Sequence, residues 1–292
     1  MSYKKPALQE LDHWTTFTER MYREWDADPG YYALQHSELS SSQRLRAAVA
    51  WCSYYNLGIA ADASEYEGRR FWGYLSRIYT TAKRATERRH FRGEAGLRAL
   101  SEWSARWPKP EAMAEFMCSE TSTYFDIRRR TNEVRLFGPY FAWKWCDLHE
   151  VLGYGAVDMT GSEKHSPKLP QQGAALIFEM GELASHGEVP IYDPVAIVAE
   201  VYDEIVQFGR RKKTPPRTTH SRAFNIQEAE TVACVYKQMS SGSYIYGTRT
   251  AKAVRRLGAA ESKTADAMKR TLLDLSPYSE AELNRILDSL TE

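Results

Sequence analysis

The stretch Val134-Arg-Leu-Phe-Gly-Pro-Tyr-Phe-Ala142 continues as Trp143-Lys-Trp-Cys-Asp-Leu-His-Glu-Val-Leu152 and closes on Gly153-Tyr-Gly-Ala-Val-Asp158. Gly138-Pro139 is a helix-start signal, because proline suits the first helical position, where no intrahelical donor is needed and its φ is already helical. The spacing predicts a helix over 139–152. Its first turn would present backbone N–H groups at the positive end of the helix dipole, a ready seat for a phosphate at Gly138. A short glycine turn then leads to a lone carboxylate, Asp158. On the helix, Lys144 and Asp147 are i,i+3 neighbours, and so are Asp147 and Glu150. The first pair reads either as a helix-surface ion pair or as part of a site. Trp143 and Trp145 read either as core or as rings that face a ligand.

Outward from this segment, apolar spacing near 3.6 recurs from end to end and no sustained alternating run with hairpin turns interrupts it, so the chain is expected to be all-α. Leu11, Trp14, Phe17, Met21 and Trp25 make one helical face, closed by the breaker Asp28-Pro29-Gly30. Ser40-Ser41-Ser42 can cap a second helix through Leu45, Val49, Cys52 and Tyr55, ending around Gly58. A third is expected from about Ser64, carrying Phe71, Leu75 and Ile78. Others follow near 94–106, 110–128, 171–185, 193–208, 226–240, 248–257, 261–275 and 279–290, separated by Pro108, Pro110, Pro167, Pro170, Pro190 and Pro215-Pro216. Neither a repeat nor a low-complexity tract divides residues 1–292, which are read as a single helical domain. Gly209-Arg-Arg-Lys-Lys-Thr-Pro-Pro-Arg217 is expected to be a basic loop, solvated or phosphate-contacting, before a C-terminal helical extension over 218–292.

The 292 residues carry 39 basic and 38 acidic side chains, are 43% hydrophobic and have mean hydropathy −0.55, which excludes a disordered chain. No run reaches about 18 apolar residues and no signal-peptide core follows Met1, so membrane partners are excluded and a cytoplasmic location is expected. Cys52, Cys118, Cys146 and Cys234 form no CxxC pair and read as core side chains, with neither a metal site nor disulfides expected. The near-zero net charge conceals segregation. Residues 69–135 hold 15 basic and 8 acidic groups, 141–208 hold 3 and 11, and 209–256 hold 11 and 2. Two basic blocks around an acidic one suit an anionic polymer gripped by the flanks, although charge runs also serve as solvated faces. Arg128, Arg129, Arg130, Arg210, Arg211, Lys212 and Lys213 are the candidate gripping residues. Neither a Walker lysine motif nor a strand-borne GxGxxG is present, which removes a self-contained P-loop kinase.

Gly138-Pro-Tyr-x-Ala142 resembles the second half of the helix-hairpin-helix of the helical DNA glycosylase superfamily, whose essential aspartate falls about twenty residues beyond, the position of Asp158 here. In this sequence Leu136 replaces the first hairpin glycine, Phe141 replaces a threonine, and Tyr140 stands where bifunctional glycosylases hold a lysine. A closer resemblance adds Glu87-Arg-Arg-His-Phe-Arg-Gly93 to Phe137-Gly-Pro-Tyr-Phe-Ala-Trp-Lys-Trp-Cys-Asp147 and Val157-Asp158. Together these resemble the phage amino acid:DNA transferases, the α-glutamyl/putrescinyl-thymine pyrophosphorylases of thymidine hypermodification, and the related helical domain of 5-hydroxymethyluracil DNA kinases.

The resemblance implies a glycosylase-like core at 134–158 acting on double-stranded DNA that carries pyrophosphorylated 5-hydroxymethyluracil. An amino acid or polyamine would be the co-substrate, a divalent metal could assist, and no other cofactor is implied. Such chemistry needs a flipped base, which points to Tyr140, Phe141 and Trp143 as a base pocket. It needs cations for the leaving group, for which Arg88, Arg89, His90 and Arg92 form a compact set, unless they are a solvated turn. It also needs a carboxylate, Asp158 first and then Asp147 with Lys144, although Asp158 could instead cap with Thr160. The competing functions are a non-catalytic DNA-binding partner of a hydroxymethyluracil DNA kinase and a base-excising glycosylase.

Overall fold

Helices open where a short polar side chain can take the first unpaired N–H groups. Ser40 and Gln43 bond reciprocally at the start of one helix, Asn225 and Glu228 at another, and Ser279 and Glu282 at a third. The computed structural model describes residues 12–82, 88, 90–118, 123–179, 193–214 and 222–290. Among these it contains fifteen α-helices and no extended strand, so the protein is all-α.

The helices are α1 (Trp14–Arg23), α2 (Pro29–His36), α3 (Ser41–Tyr54), α4 (Leu57–Ser64) and α5 (Gly68–Arg77). Next come α6 (Gly93–Arg106), α7 (Pro110–Cys118), α8 (Tyr124–Asn132), α9 (Pro139–Val151) and α10 (Lys168–Glu179). The last are α11 (Pro194–Arg211), α12 (Ile226–Ser240), α13 (Thr248–Gly258), α14 (Lys263–Leu275) and α15 (Glu280–Ser289).

Several boundaries differ from the sequence expectation. Pro29 opens α2 instead of ending a helix; α1 stops at Arg23, and Trp25 turns the chain at φ 55. Gly58 lies inside α4, because α3 closes on Tyr55 in the left-handed region and Asn56 caps the next helix through the Gly58 and Ile59 N–H groups. Ser64 ends α4, and α5 begins at Gly68. The expected helix over 110–128 is two helices, α7 and α8. Pro170 sits in the first turn of α10, where a missing N–H costs nothing. Of the expected loop at 209–217, Gly209, Arg210 and Arg211 form the end of α11; Lys212 and Lys213 turn the chain, and 215–217 lie outside the described residues.

The chain falls into two compact units, each assembled from separated segments. The first comprises Met1–Pro29, Asp158–Ala251 and Leu275–Glu292. Its centre is the crossing of α10 and α12, where Gly173 is so close to the Ala233 carbonyl that an added Cβ would lie 1.9 Å from the oxygen. Trp14 and Phe17 of α1 pack edge-on against Phe208 and Tyr236 at 5.1 and 5.3 Å.

The second unit comprises Gly30–Val157 and Lys252–Asp274. Here α8 and α9 pack together, as do α3 with α4 and α7. A ladder of rings, Tyr54, Phe91, Trp103, Phe137 and Phe141, fills its interior at centroid separations of 4.9 to 5.5 Å. Every residue of α9 from Phe141 to Val151 is buried, including Lys144, Asp147, His149 and Glu150. Charged side chains are rarely so enclosed unless they are paired, so this helix is where chemistry should be sought.

Candidate active site

The turn over 133–138, between α8 and α9, carries Leu136 at φ 62. A side chain in that region costs about 1–2 kcal/mol relative to the right-handed form. Arg88 holds the turn. Its Nε donates to the Ser53 carbonyl at 2.9 Å and its Nη1 to the Leu136 carbonyl at 3.1 Å, while the guanidinium lies 4.6 Å from the ring centres of both Phe91 and Phe141. These carbonyls and ring faces offset the cost of burying the cation. Arg88 is only 3% exposed, whereas His90 and Arg92 are exposed and Arg89 lies outside the described residues. The structure therefore does not bring this set together at one surface. It ties the end of α3 to the turn that introduces α9.

Lys144 and Asp147 lie one turn apart on α9 with Nζ 3.7 Å from Oδ2, and their side chains are 5% and 2% exposed. They are an ion pair, but a buried one. Tyr31 of α2 donates its hydroxyl to the same Oδ2 at 2.8 Å. The Lys144 ammonium lies 5.9 Å from the Tyr31 ring centre and 5.6 Å from that of Tyr140. An ammonium, a carboxylate and a phenol thus meet in a desolvated place, where charges act on one another far more strongly than in water. Cys52 is also buried near Arg88 and Lys144; burial pushes its thiol well up, which leaves it protonated and unsuited to nucleophilic attack.

The other polar groups of α9 bind the return of the chain. His149 Nδ1 donates to the Gly155 carbonyl at 2.8 Å, and Glu150 Oε1 accepts from the Val157 N–H at 3.2 Å. Asp158 follows in the first unit. It is exposed and accepts from both the N–H and the hydroxyl of Thr160 at 2.9 and 2.7 Å, which hold its carboxyl below the ordinary range. This is the bonding of a turn-forming residue.

Of the expected base-pocket rings, Phe141 is buried on Phe137 at 4.9 Å and Trp143 is buried beside Tyr124 at 5.5 Å; Tyr140 alone of the three is half-buried, donating its hydroxyl to that of Tyr55 at 3.0 Å. Trp145 is likewise core. Gly138 has φ −129 and ψ −169, an extended conformation open to any residue, and an added Cβ would meet nothing within 4 Å. It leaves the backbone uncovered at the start of α9.

The candidate gripping residues belong to different units. In the second, Arg129 is exposed and 3.4 Å from Asp126, Arg128 is half-buried, and Arg130 donates to the Phe116 carbonyl. In the first, Arg210 donates to the Phe224 carbonyl at 3.0 Å, Lys212 pairs with Glu19 at 3.1 Å, and Arg211 and Lys213 are exposed. Among the described residues no helix is long and apolar enough to cross a membrane, and no three His, Cys, Asp or Glu side chains gather as a metal would require. Sequence reasoning missed Tyr31 and Tyr55. Both come from helices more than eighty residues before Lys144, and no local spacing could have pointed to them.

A family model described as amino acid:DNA transferase matches residues 10–244. The chain is 27% identical over 240 residues to a putrescinyltransferase of Delftia phage PhiW-14, covering 80% of this chain and 74% of that protein. It is also 27% identical over 262 residues to a glycinyltransferase of Pseudomonas phage PaMx11, covering 83% and 87%. With four-fifths of its length matched by that model, the chain belongs to the amino acid:DNA transferase family.

Proposed function

We propose that this transferase replaces pyrophosphate on 5-(pyrophosphoryloxymethyl)uracil in DNA with an amino acid or amine, and that Lys144, Asp147 and Tyr31 form its reaction centre. The observation that carries this reading is the buried ammonium–carboxylate pair of α9 with the Tyr31 phenol of α2 bonded to it, all within the residues that the family model matches. The amine nitrogen attacks the exocyclic methylene carbon, the carbon–oxygen bond breaks, and its electron pair leaves on the pyrophosphate. Asp147 takes the proton that the new ammonium loses, and the Lys144 charge meets the leaving oxygen. Tyr31 orients the carboxylate by its hydrogen bond.

Asp158, the first carboxylate singled out from the sequence, is better suited to its turn with Thr160, so the role of base passes to Asp147. Arg88 likewise becomes a positioning residue, and His90, Arg92 and the uncovered backbone at Gly138 are the groups available to phosphate. The α8–turn–α9 segment, with Leu136 in the conformation that favours glycine, supports a helix-hairpin-helix reading. Arg128, Arg129, Arg211 and Lys213 would then take DNA phosphates, with affinity falling steeply as salt rises. The relatives' names cover both a polyamine and an amino acid, which keeps the donor class at primary amines. Phage encoding of those relatives favours the host cytoplasm as the place of action.

Incubation of pyrophosphorylated hydroxymethyluracil DNA with the protein and a mixture of amines, followed by nucleoside mass spectrometry, tests the reading. It predicts an amine-bearing thymidine with an equal amount of pyrophosphate released. Free base, or unchanged nucleosides, would contradict it.

A further inference from the structure

Five side chains of the second unit close a circuit. The Tyr31 and Trp51 rings meet edge to face at 4.8 Å, and Trp51 stacks on Tyr55 at 5.1 Å with planes 12° apart. Tyr55 and Tyr140 lie 6.2 Å apart and join hydroxyls at 3.0 Å. The Lys144 ammonium, 5.6 Å from the Tyr140 ring centre and 5.9 Å from that of Tyr31, completes the loop. Exposure grades across it: Tyr31 and Lys144 are buried, whereas Tyr55 and Tyr140 are half-buried. The circuit therefore has a charged inner end, next to Asp147, and an aromatic outer end.

Two further observations single out that outer end. Tyr55 is the cap of α3 at φ 53 and ψ 40, a left-handed conformation that favours glycine. Its carbonyl is held by Arg256 Nη1 at 3.2 Å. An aromatic side chain stands here where glycine would be easier, and backbone strain of this kind gathers at functional sites. Trp51, for its part, is seated against Gly30, where an added Cβ would come within 2.8 Å of the indole. The backbone is shaped to hold both rings.

We propose that Tyr55 and Tyr140, with the buried Trp51 ring behind Tyr55, form a rim that stacks a pyrimidine base extruded from DNA, with its 5-substituent directed to Lys144 and Asp147. This rests on the reading of those two residues as the reaction centre. Two half-buried rings suit the π-face of any base, and the Lys144 ammonium at the inner end suits an anionic substituent on that base. Entry of the base exchanges the Tyr55–Tyr140 hydroxyl bond for stacking.

Single-turnover transfer on duplex containing pyrophosphorylated hydroxymethyluracil, measured over a range of DNA concentrations alongside thermal melting, tests the rim. Tyr55→Gly removes the ring and relieves φ 53, which offsets part of the lost stacking on Trp51, so the protein should stay folded while half-saturation moves to DNA concentrations higher by about tenfold or more. Tyr55→Phe keeps the ring and should recover most of that loss. Tyr140→Leu, at an ordinary helical position, should show the same weakening and serves if Tyr55→Gly melts early. Half-saturation unchanged in both Tyr55→Gly and Tyr140→Leu, or Tyr55→Phe as weak as Tyr55→Gly, would overturn the proposal. Asp147→Asn in the same assay separates the two readings. If it loses rate while the rim variants saturate normally, only the rim fails; if it keeps its rate, the reaction centre fails.

Discussion

Each unit buries an aspartate, and the two are held in opposite ways. In the first unit Asp26 is fully enclosed and accepts from the Gly247 N–H at 3.0 Å, the Thr250 N–H at 2.7 Å and the Thr250 hydroxyl at 2.8 Å, donors at the opening of α13. In the second unit Asp147 is faced by a lysine ammonium and a tyrosine hydroxyl. Two of the three donors on Asp26 are backbone N–H groups fixed in a helix end, which cannot titrate or move aside. Side-chain donors can do both. Burial of a carboxylate therefore does not by itself mark a site; the mobility and acidity of its partners do.

The largest expected effect tests the pairing at Asp147. Lys144→Met leaves that carboxylate enclosed without its cation, and removing one partner of a buried pair costs about 3–5 kcal/mol. Urea unfolding should show a loss of this size together with loss of transfer; an unfolding midpoint near that of the parent would mean that the pair is more solvated than its geometry indicates.

A smaller effect is expected at Asp26. Burial raises its carboxyl above the ordinary value of 3.8, so the folded protein holds this proton more tightly than the unfolded chain. The stability that it contributes is full below that ordinary value and is lost as pH rises through the folded one. Asp26→Asn removes the titration, so the Tm of the variant relative to the parent should improve as pH rises from the ordinary value of 3.8 toward neutrality. A difference that stays constant across that range would show that the backbone donors outweigh burial.

The smallest effect is expected at Asp158. Asparagine can accept the same two bonds from Thr160, and surface changes that keep their bonds stay within about 0.5 kcal/mol. Transfer by Asp158→Asn should fall less than about tenfold, well short of the roughly hundredfold or greater loss that removal of a general base brings. A loss of that larger size would return the role of base to this exposed turn.

What could be read from the sequence follows from what is local. Helix α9 was legible because Gly138-Pro139 and Gly153 bracket it, and α3 because Ser40 and Gln43 make a capping box. Pro29 misled because a proline that ends one helix and a proline that starts the next look alike without the neighbouring chain. Tyr55 was illegible as a cap, since its left-handed turn is imposed by Asn56 capping α4 and by Arg256 from a distant helix. Arg88 belongs to an arginine cluster that reads as an anion site, whereas the fold encloses this member among phenylalanine rings and sets its Nε and Nη1 on carbonyls. Lys144 and Asp147 were visible as a pair. Their burial, and the phenol of Tyr31 that completes the group, depend on contacts far apart in the chain.

In the proposed reaction Asp147 takes the proton of the incoming amine. Asp147→Asn keeps the shape of the side chain and removes its charge, so single-turnover amine transfer, duplex binding and Tm measured on the same preparation test it most directly. The expected result is a rate lowered by about 10²-fold or more with DNA affinity retained, in a protein that still folds although its Tm falls because Lys144 loses its partner. Transfer at the parent rate by a folded, DNA-bound Asp147→Asn protein would rule Asp147 out as the base.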